Sequence, residues 1–132
     1  MGVMSIIEAH RAEEEAVQWL RSMFVVCING SINDFAMCII VIAQYLYGKY
    51  ITRGTRLNSS SYKIVSSDMV SILPESYGIY ASQLIQLRNK ICHHSDYSTN
   101  QKLLIKWYSE KSKLIDFVKY LDILPFEVIA NL

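Results

Sequence analysis

The chain has 132 residues, of which 52% are hydrophobic and 19% charged, and its formal net charge is +1. This composition predicts one domain with a well-filled core and argues against intrinsic disorder. A net charge near zero excludes a global electrostatic attraction to nucleic acids or membranes, so RNA or DNA binding requires a local patch. The three cysteines form no C-x-x-C pair, which argues against zinc ribbons and thioredoxin motifs.

Apolar residues at three- and four-residue spacing predict a first helix from about Ser5 to Cys27. This helix includes the β-branched stretch "FVVCI", which continues the helical period. Asn29 and Gly30 then form a natural helix end. Ser31, followed by Asp34 three residues later, resembles a capping box that opens the next helix.

A second helix, from about Ile32 to Tyr50, is apolar nearly all round and is expected to be the most buried element. Its apolar run over residues 35–48 is shorter than the roughly 20 residues that a membrane span needs. The N-terminus shows no basic-then-apolar leader. Cys27 and Cys38 lie in apolar runs and are expected to be buried thiols, which fits a cytoplasmic protein.

The middle of the chain is a polar connection over residues 52–61. It carries Arg53 and Arg56, which can contact phosphate groups at the rim of a site. A short helical piece is predicted over residues 62–72. Pro74 marks the start of a third long helix, which carries apolar and aromatic residues on one broad side.

The last predicted element is a long helix from about Thr99 to Leu121, opened by a second capping box of Ser98 and Gln101. Pro125 permits a final short turn or helix. The sum is an all-α fold, an antiparallel bundle of four long helices plus short helical pieces. Residues 1–132 are expected to form this single helical domain.

The candidate site is "QLRNKICHHSDY", residues 86–97, at the end of the third long helix. Asn89 and His93 are four residues apart and share a helix face. Arg88 and His93 are five residues apart, about 140° around a regular helix. One helix therefore does not aim both at one phosphate. Either the helix unwinds near residues 93–95, or two chains related by a two-fold axis share one cleft.

These residue types suffice for RNA cleavage without a metal. Histidine can accept or donate a proton near neutral pH, and arginine stabilises the charge that grows on a phosphate. Attack by the ribose 2′-hydroxyl would give a 2′,3′-cyclic phosphate, and DNA should resist. A metal site fits poorly, because His93 and His94 point about 100° apart on a helix. A plainer alternative is that Arg88 and Asn89 belong to an ordinary solvated helix face.

Residues 73–97, "LPESYGIYASQLIQLRNKICHHSDY", resemble the HEPN domain family (higher eukaryotes and prokaryotes nucleotide-binding). Ribonuclease members of that family carry an arginine, a polar residue, and a histidine four to six positions after the arginine. Arg88, Asn89 and His93 match this motif, and His94 also falls within the spacing.

The resemblance extends to residues 30–54 and implies a homodimeric, metal-independent endoribonuclease, without a cofactor, that serves as a toxin or antiviral effector. One branch of the family pairs with a minimal nucleotidyltransferase antitoxin, which modifies a tyrosine two residues after the histidine. This chain has Ser95 at that position, and Tyr97 is the nearest tyrosine. His94 and Tyr97 are secondary site candidates.

Two alternatives remain open. The domain can be a non-catalytic module that binds a nucleotide or partners a nucleotidyltransferase, with Arg88 as a phosphate clamp only. It can also be a structural helical protein whose polar motif ends a helix. His10 is expected to be plain helix surface. Tyr77, Tyr80 and Trp107 are expected to pack in the core or a dimer interface and not to stack on bases.

Overall fold

A computed structural model describes residues 6–50, 73–92 and 97–132. Across these ranges the chain is helical and has no strand, as the apolar spacing predicts. The described residues contain no helix with the length and hydropathy that a membrane span requires. Within the described ranges the six helices in chain order are α1 (Ile6–Ile28), α2 (Ile32–Tyr50), α3 (Glu75–Cys92), α4 (Tyr97–Ser109), α5 (Lys111–Leu121) and α6 (Phe126–Ile129).

The turn between α1 and α2 forms as predicted, and it contains the expected capping box. The Ser31 backbone N–H donates to Asp34 Oδ2 at 3.1 Å, and the Asp34 backbone N–H approaches Ser31 Oγ at 3.3 Å. Two backbone donors at the start of α2 are thereby satisfied by reciprocal bonds. The stretch "FVVCI" is helical and belongs to α1.

Helix α2 lies at the centre of the core. Nine of its 19 residues are buried, against six of 18 in α3, which confirms the expectation that α2 is deeply buried. Cys27 and Cys38 are buried free thiols, as predicted. Burial, with smaller contributions from Cys27 and Asp34, raises the pKa of Cys38 to about 12. Cys38 therefore stays protonated and packs as a small apolar side chain.

Gly48 sets the closest approach of α2 to α1. A Cβ at this position would lie 2.5 Å from the Ala9 carbonyl oxygen and 2.8 Å from the Glu13 backbone nitrogen. Alanine normally favours a helix over glycine by roughly 0.5–1 kcal/mol, but here the added methyl meets backbone that cannot rotate away. We expect Gly48→Ala to lower the free energy of unfolding by about 1–3 kcal/mol in a denaturant titration.

Gly30→Ala is the matched control for that substitution. The nearest atoms to an added Cβ at Gly30 belong to the Asp34 side chain, which can rotate away at the cost of its capping bond with Ser31, about 1 kcal/mol for an exposed cap. The loss of stability should therefore be smaller than that of Gly48→Ala. Equal losses for the two variants would contradict the backbone clash at Gly48.

The second half of the fold is anchored to the α1–α2 turn. The Tyr108 hydroxyl donates to the Gly30 carbonyl oxygen at 2.8 Å, and Lys111 Nζ donates to the Ile28 carbonyl oxygen at 3.2 Å. Carbonyls at a helix C-terminus lack partners within the helix, and a positive charge there suits the helix dipole. These two bonds therefore fix the start of α5 against the end of α1.

The prediction of one long helix from Thr99 to Leu121 is wrong. The structure divides it at Glu110, whose φ of −109° and ψ of 31° interrupt the helix. The Glu110 N–H is shared between the carbonyls of Lys106 and Trp107, at 3.2 and 3.1 Å. Apolar spacing does not reveal this break, because it continues across it from Trp107 to Leu114.

Helix α4 begins at Tyr97, two residues before the predicted start, so Ser98 lies inside the helix and not at its N-cap. By contrast, α3 begins at Glu75, directly after Pro74, as predicted. The short helical piece predicted over residues 62–72 falls outside the described residues.

Candidate functional site

Helix α3 places Arg88 and Asn89 near its C-terminal end, where both are half-buried. The preceding turn contributes Leu84, Ile85 and Leu87 to the core, which fixes the rotation of the helix about its axis. Arg88 Nη1 donates to Asn89 Oδ1 at 3.2 Å. This hydrogen bond holds the guanidinium beside the amide, so the structure brings together two of the three residues of the predicted motif.

Several predicted site residues lie outside the described part of the chain: His93, His94, Arg53 and Arg56, together with the side chain of Tyr97. Their roles stay predictions. His93 directly follows Cys92, the last residue of α3, in the sequence.

The ends of α3 and α4 on either side of the two histidines are joined by a hydrogen bond. Asn100 Nδ2 donates to the Lys90 carbonyl oxygen at 2.9 Å. Lys90 is in the last turn of α3, where backbone carbonyls need partners from outside the helix. Asn100 thus fixes the first turn of α4 against the end of α3. Sequence reasoning missed this residue, because an asparagine in a first helical turn has many ordinary roles.

Beside this joint lies a cleft of about 280 Å³ that the sequence does not reveal. It is bounded by the first turns of α2, the end of α3 and the first half of α4. We call it the amide cleft, because three of its side chains are carboxamides. Its lining consists of Asn33 and Ala36 from α2, Lys90 and Ile91 from α3, and Asn100, Gln101 and Leu104 from α4.

A second cleft, of about 160 Å³, lies between α3 and the α4–α5 break and is aromatic. Tyr80 packs against Trp107 and Phe117, with ring centroids 4.9 and 5.2 Å away. Burial, followed by the charges of Glu110 and Asp116, raises the pKa of the Tyr80 phenol, which stays neutral. This packing confirms the expected structural role of Tyr80 and Trp107.

His10 lies on the helix surface, as predicted. It is exposed on α1, and its Nε2 lies 3.2 Å from Glu14 Oε1, one turn along the helix. Across the ranges that the structure describes, no three His, Cys, Asp or Glu side chains cluster in a way that could hold a metal ion.

No protein-family model matches this chain, and neither does any curated protein or solved structure.

Proposed function

We propose that this chain is a metal-independent endoribonuclease of the HEPN type, acting as a homodimer in which two protomers share one Arg/His cleft. The observation that carries the proposal is the half-buried Arg88–Asn89 pair at the end of α3, hydrogen-bonded at 3.2 Å and followed in the sequence by His93 and His94. The all-helical fold is consistent with a HEPN-like bundle.

Arg88 supplies the fixed positive charge of this mechanism. An arginine guanidinium carries a positive charge and presents donors in a planar fork that matches phosphate oxygens. Asn89 Oδ1 accepts one of those donors and so limits the rotation of the guanidinium. A cation that is already oriented stabilises the pentacoordinate phosphorus without reorganisation during the reaction.

The histidines move the protons. His93 of one protomer takes the proton of the ribose 2′-hydroxyl, and that oxygen attacks the adjacent phosphorus. The bond from phosphorus to the 5′-oxygen breaks, and His93 of the second protomer protonates the leaving oxygen. The products are a 2′,3′-cyclic phosphate and a 5′-hydroxyl. Two protomers share the cleft in this proposal, because Arg88 and His93 would be about 140° apart if the helix continued regularly to His93.

The test is incubation of the purified chain with end-labelled RNA, with and without EDTA, followed by identification of the product ends. We expect 2′,3′-cyclic phosphate and 5′-hydroxyl ends, a rate that EDTA leaves unchanged, and no cleavage at a nucleotide carrying a single 2′-deoxy substitution. Loss of cleavage in EDTA, or 5′-phosphate ends, would refute the mechanism.

The same assay tests the shared cleft by dilution. The rate per chain should fall as the protein is diluted below its dimer dissociation constant, measured in parallel by sedimentation. A monomer that remains fully active would disprove the two-chain cleft. RNA or nucleotide binding with no cleavage at any protein concentration would favour the non-catalytic nucleotide-binding module instead.

The resemblance to HEPN ribonucleases also underlies the biological part of the proposal. It favours a toxin or antiviral-defence role and a nucleotidyltransferase antitoxin as partner. Ser95 occupies the position of the modified tyrosine, which weighs against control by that modification, and Tyr97 is the nearest tyrosine that could take its place.

A further inference from the structure

The amide cleft is chemically unlike the core around it. Its apolar side chains are Ala36, Ile91 and Leu104, with Leu104 buried. Asn33 and Gln101 stand on its walls, and among the described residues neither forms a hydrogen bond through its side chain. Carboxamides present both donors and acceptors, as the edge of a nucleobase does.

Lys90 supplies the positively charged side chain of the cleft. Its side chain is exposed, and within the ranges that the structure describes it forms no ion pair. The Lys90 backbone is held by Asn100, which fixes the position from which the ammonium reaches the cleft. Three apolar side chains, two carboxamides without a side-chain hydrogen bond among the described residues, and one lysine together suit a base attached to a phosphate.

The volume of the cleft limits the size of the ligand that it can hold. A volume of about 280 Å³ lies just below the roughly 300–1,000 Å³ of sites for drug-sized molecules. It therefore suits one nucleotide and not a folded RNA element.

The cleft lining includes a residue one helical turn from the proposed catalytic arginine. Ile91 is three residues after Arg88 on α3, so the two Cβ atoms are about 5–6 Å apart along one side of the helix. A nucleotide seated against Ile91 lies within one turn of α3 from the guanidinium.

We infer that the amide cleft binds one unpaired ribonucleotide of the RNA next to the scissile bond, its base between the carboxamides and its phosphate beside Lys90. The RNA as occupant rests on the proposed ribonuclease function. Binding there would allow a chain with a net charge of +1 to hold single-stranded RNA without a large basic surface.

The experiment measures binding of a short, fluorescein-labelled single-stranded RNA by anisotropy. All its 2′-hydroxyls are methylated, so the proposed reaction cannot occur. Gln101→Leu keeps the side-chain size and removes the amide, and we expect roughly two- to tenfold weaker binding. Lys90→Gln should weaken binding and lower the slope of log affinity against log salt by about 0.7, the loss of one phosphate contact on a single strand.

The second cleft supplies matched controls, because it offers the same residue types. Gln83→Leu and Lys106→Gln repeat the two chemical changes at the aromatic cleft between α3 and α4. These control variants should bind the RNA as the wild type does. Circular dichroism shows whether each variant is folded. If Gln101→Leu unfolds, Lys90→Gln still tests the inference, because Lys90 is exposed and its substitution should not disturb the fold.

The outcomes separate this inference from the ribonuclease proposal. If the wild type cleaves unmodified RNA but the Gln101 and Lys90 variants bind normally, the inference is overturned and the ribonuclease proposal stands. If these variants alone lose binding and the wild type never cleaves, the ribonucleotide site in the amide cleft stands, whereas its place next to a scissile bond and the ribonuclease proposal fail. Equal losses in the Gln83 and Lys106 controls would attribute binding to general surface charge and overturn the inference.

Discussion

Replacing His93 by alanine is expected to slow RNA cleavage by roughly 10²–10⁴-fold, the usual contribution of a general acid or base. The same histidine position would serve as base in one protomer and acid in the other, so one substitution removes both proton transfers. The measurement is the single-turnover rate on labelled RNA, with circular dichroism and sedimentation to show that fold and dimer survive.

His10→Ala is the matched control. His10 is exposed on α1 and paired with Glu14, so its loss should leave the cleavage rate unchanged. A variant at His93 that cleaves as fast as the His10 variant would remove His93 from the mechanism and shift attention to His94.

A mixture of Arg88→Ala and His93→Ala chains extends this prediction. Each variant alone should be inactive, but a mixed dimer keeps one Arg88 and one His93 on opposite protomers. Partial recovery of cleavage after subunit exchange is therefore expected if the two chains share a cleft. The recovery should be incomplete, because the mixed dimer keeps only one of the two His93 side chains. No recovery, with exchange shown by differently tagged chains, would mean either that each centre takes both residues from one chain or that cleavage requires His93 from both chains.

The sequence predicts the start of the fold well because the signals there are local. The reciprocal bonds of Ser31 and Asp34 need only a three-residue spacing, and the helix bounds of α2 follow from that cap and a continuous apolar run. Burial of α2 follows from the same run, because a helix that is apolar nearly all round can only be stable inside.

Features that depend on tertiary contacts could not be read from the pattern. Glu110 interrupts the predicted last helix between Tyr108, which is bonded to the α1–α2 turn, and Lys111, which is bonded to the last residue of α1. The apolar period continues across this break. Helix α5 ends at Asp122, whose backbone is in the left-handed region with a φ of 55°. Glycine is the residue that usually marks such a helix end in a sequence.

The candidate site likewise combines features that local sequence patterns predict with features that depend on tertiary packing. Helical spacing places Asn89 on one face with His93, and that pairing stays a prediction because His93 lies outside the described residues. The structure adds the hydrogen bond between Asn89 and the neighbouring Arg88, which the spacing does not predict. The amide cleft combines side chains from three helices. Its first and last lining residues in the chain, Asn33 and Leu104, are more than 50 positions apart. No local pattern brings such residues together, so the cleft appears only once the helices are packed.

Phe117→Ala is expected to give the largest loss of stability among single substitutions proposed for this chain, about 3–5 kcal/mol in the free energy of unfolding. Phe117 is 1% exposed, and its ring centroid lies 6.1 Å from that of Tyr77 and 5.2 Å from that of Tyr80. It therefore joins α5 to α3. Truncation removes both ring contacts and leaves a cavity that two rigid helices can close only in part. Urea titration provides the measurement.

Phe126→Ala is the control of identical chemistry, since Phe126 is 80% exposed in α6 and should lose less than about 0.5 kcal/mol. Similar losses for both phenylalanines would contradict the packing of α5 on α3.

The comparison also bears on the site, because Tyr77 and Tyr80 belong to the helix that carries Arg88. If α5 fixes α3, a Phe117→Leu variant that remains folded should reduce RNA cleavage along with stability, whereas Phe126→Ala should leave cleavage unchanged.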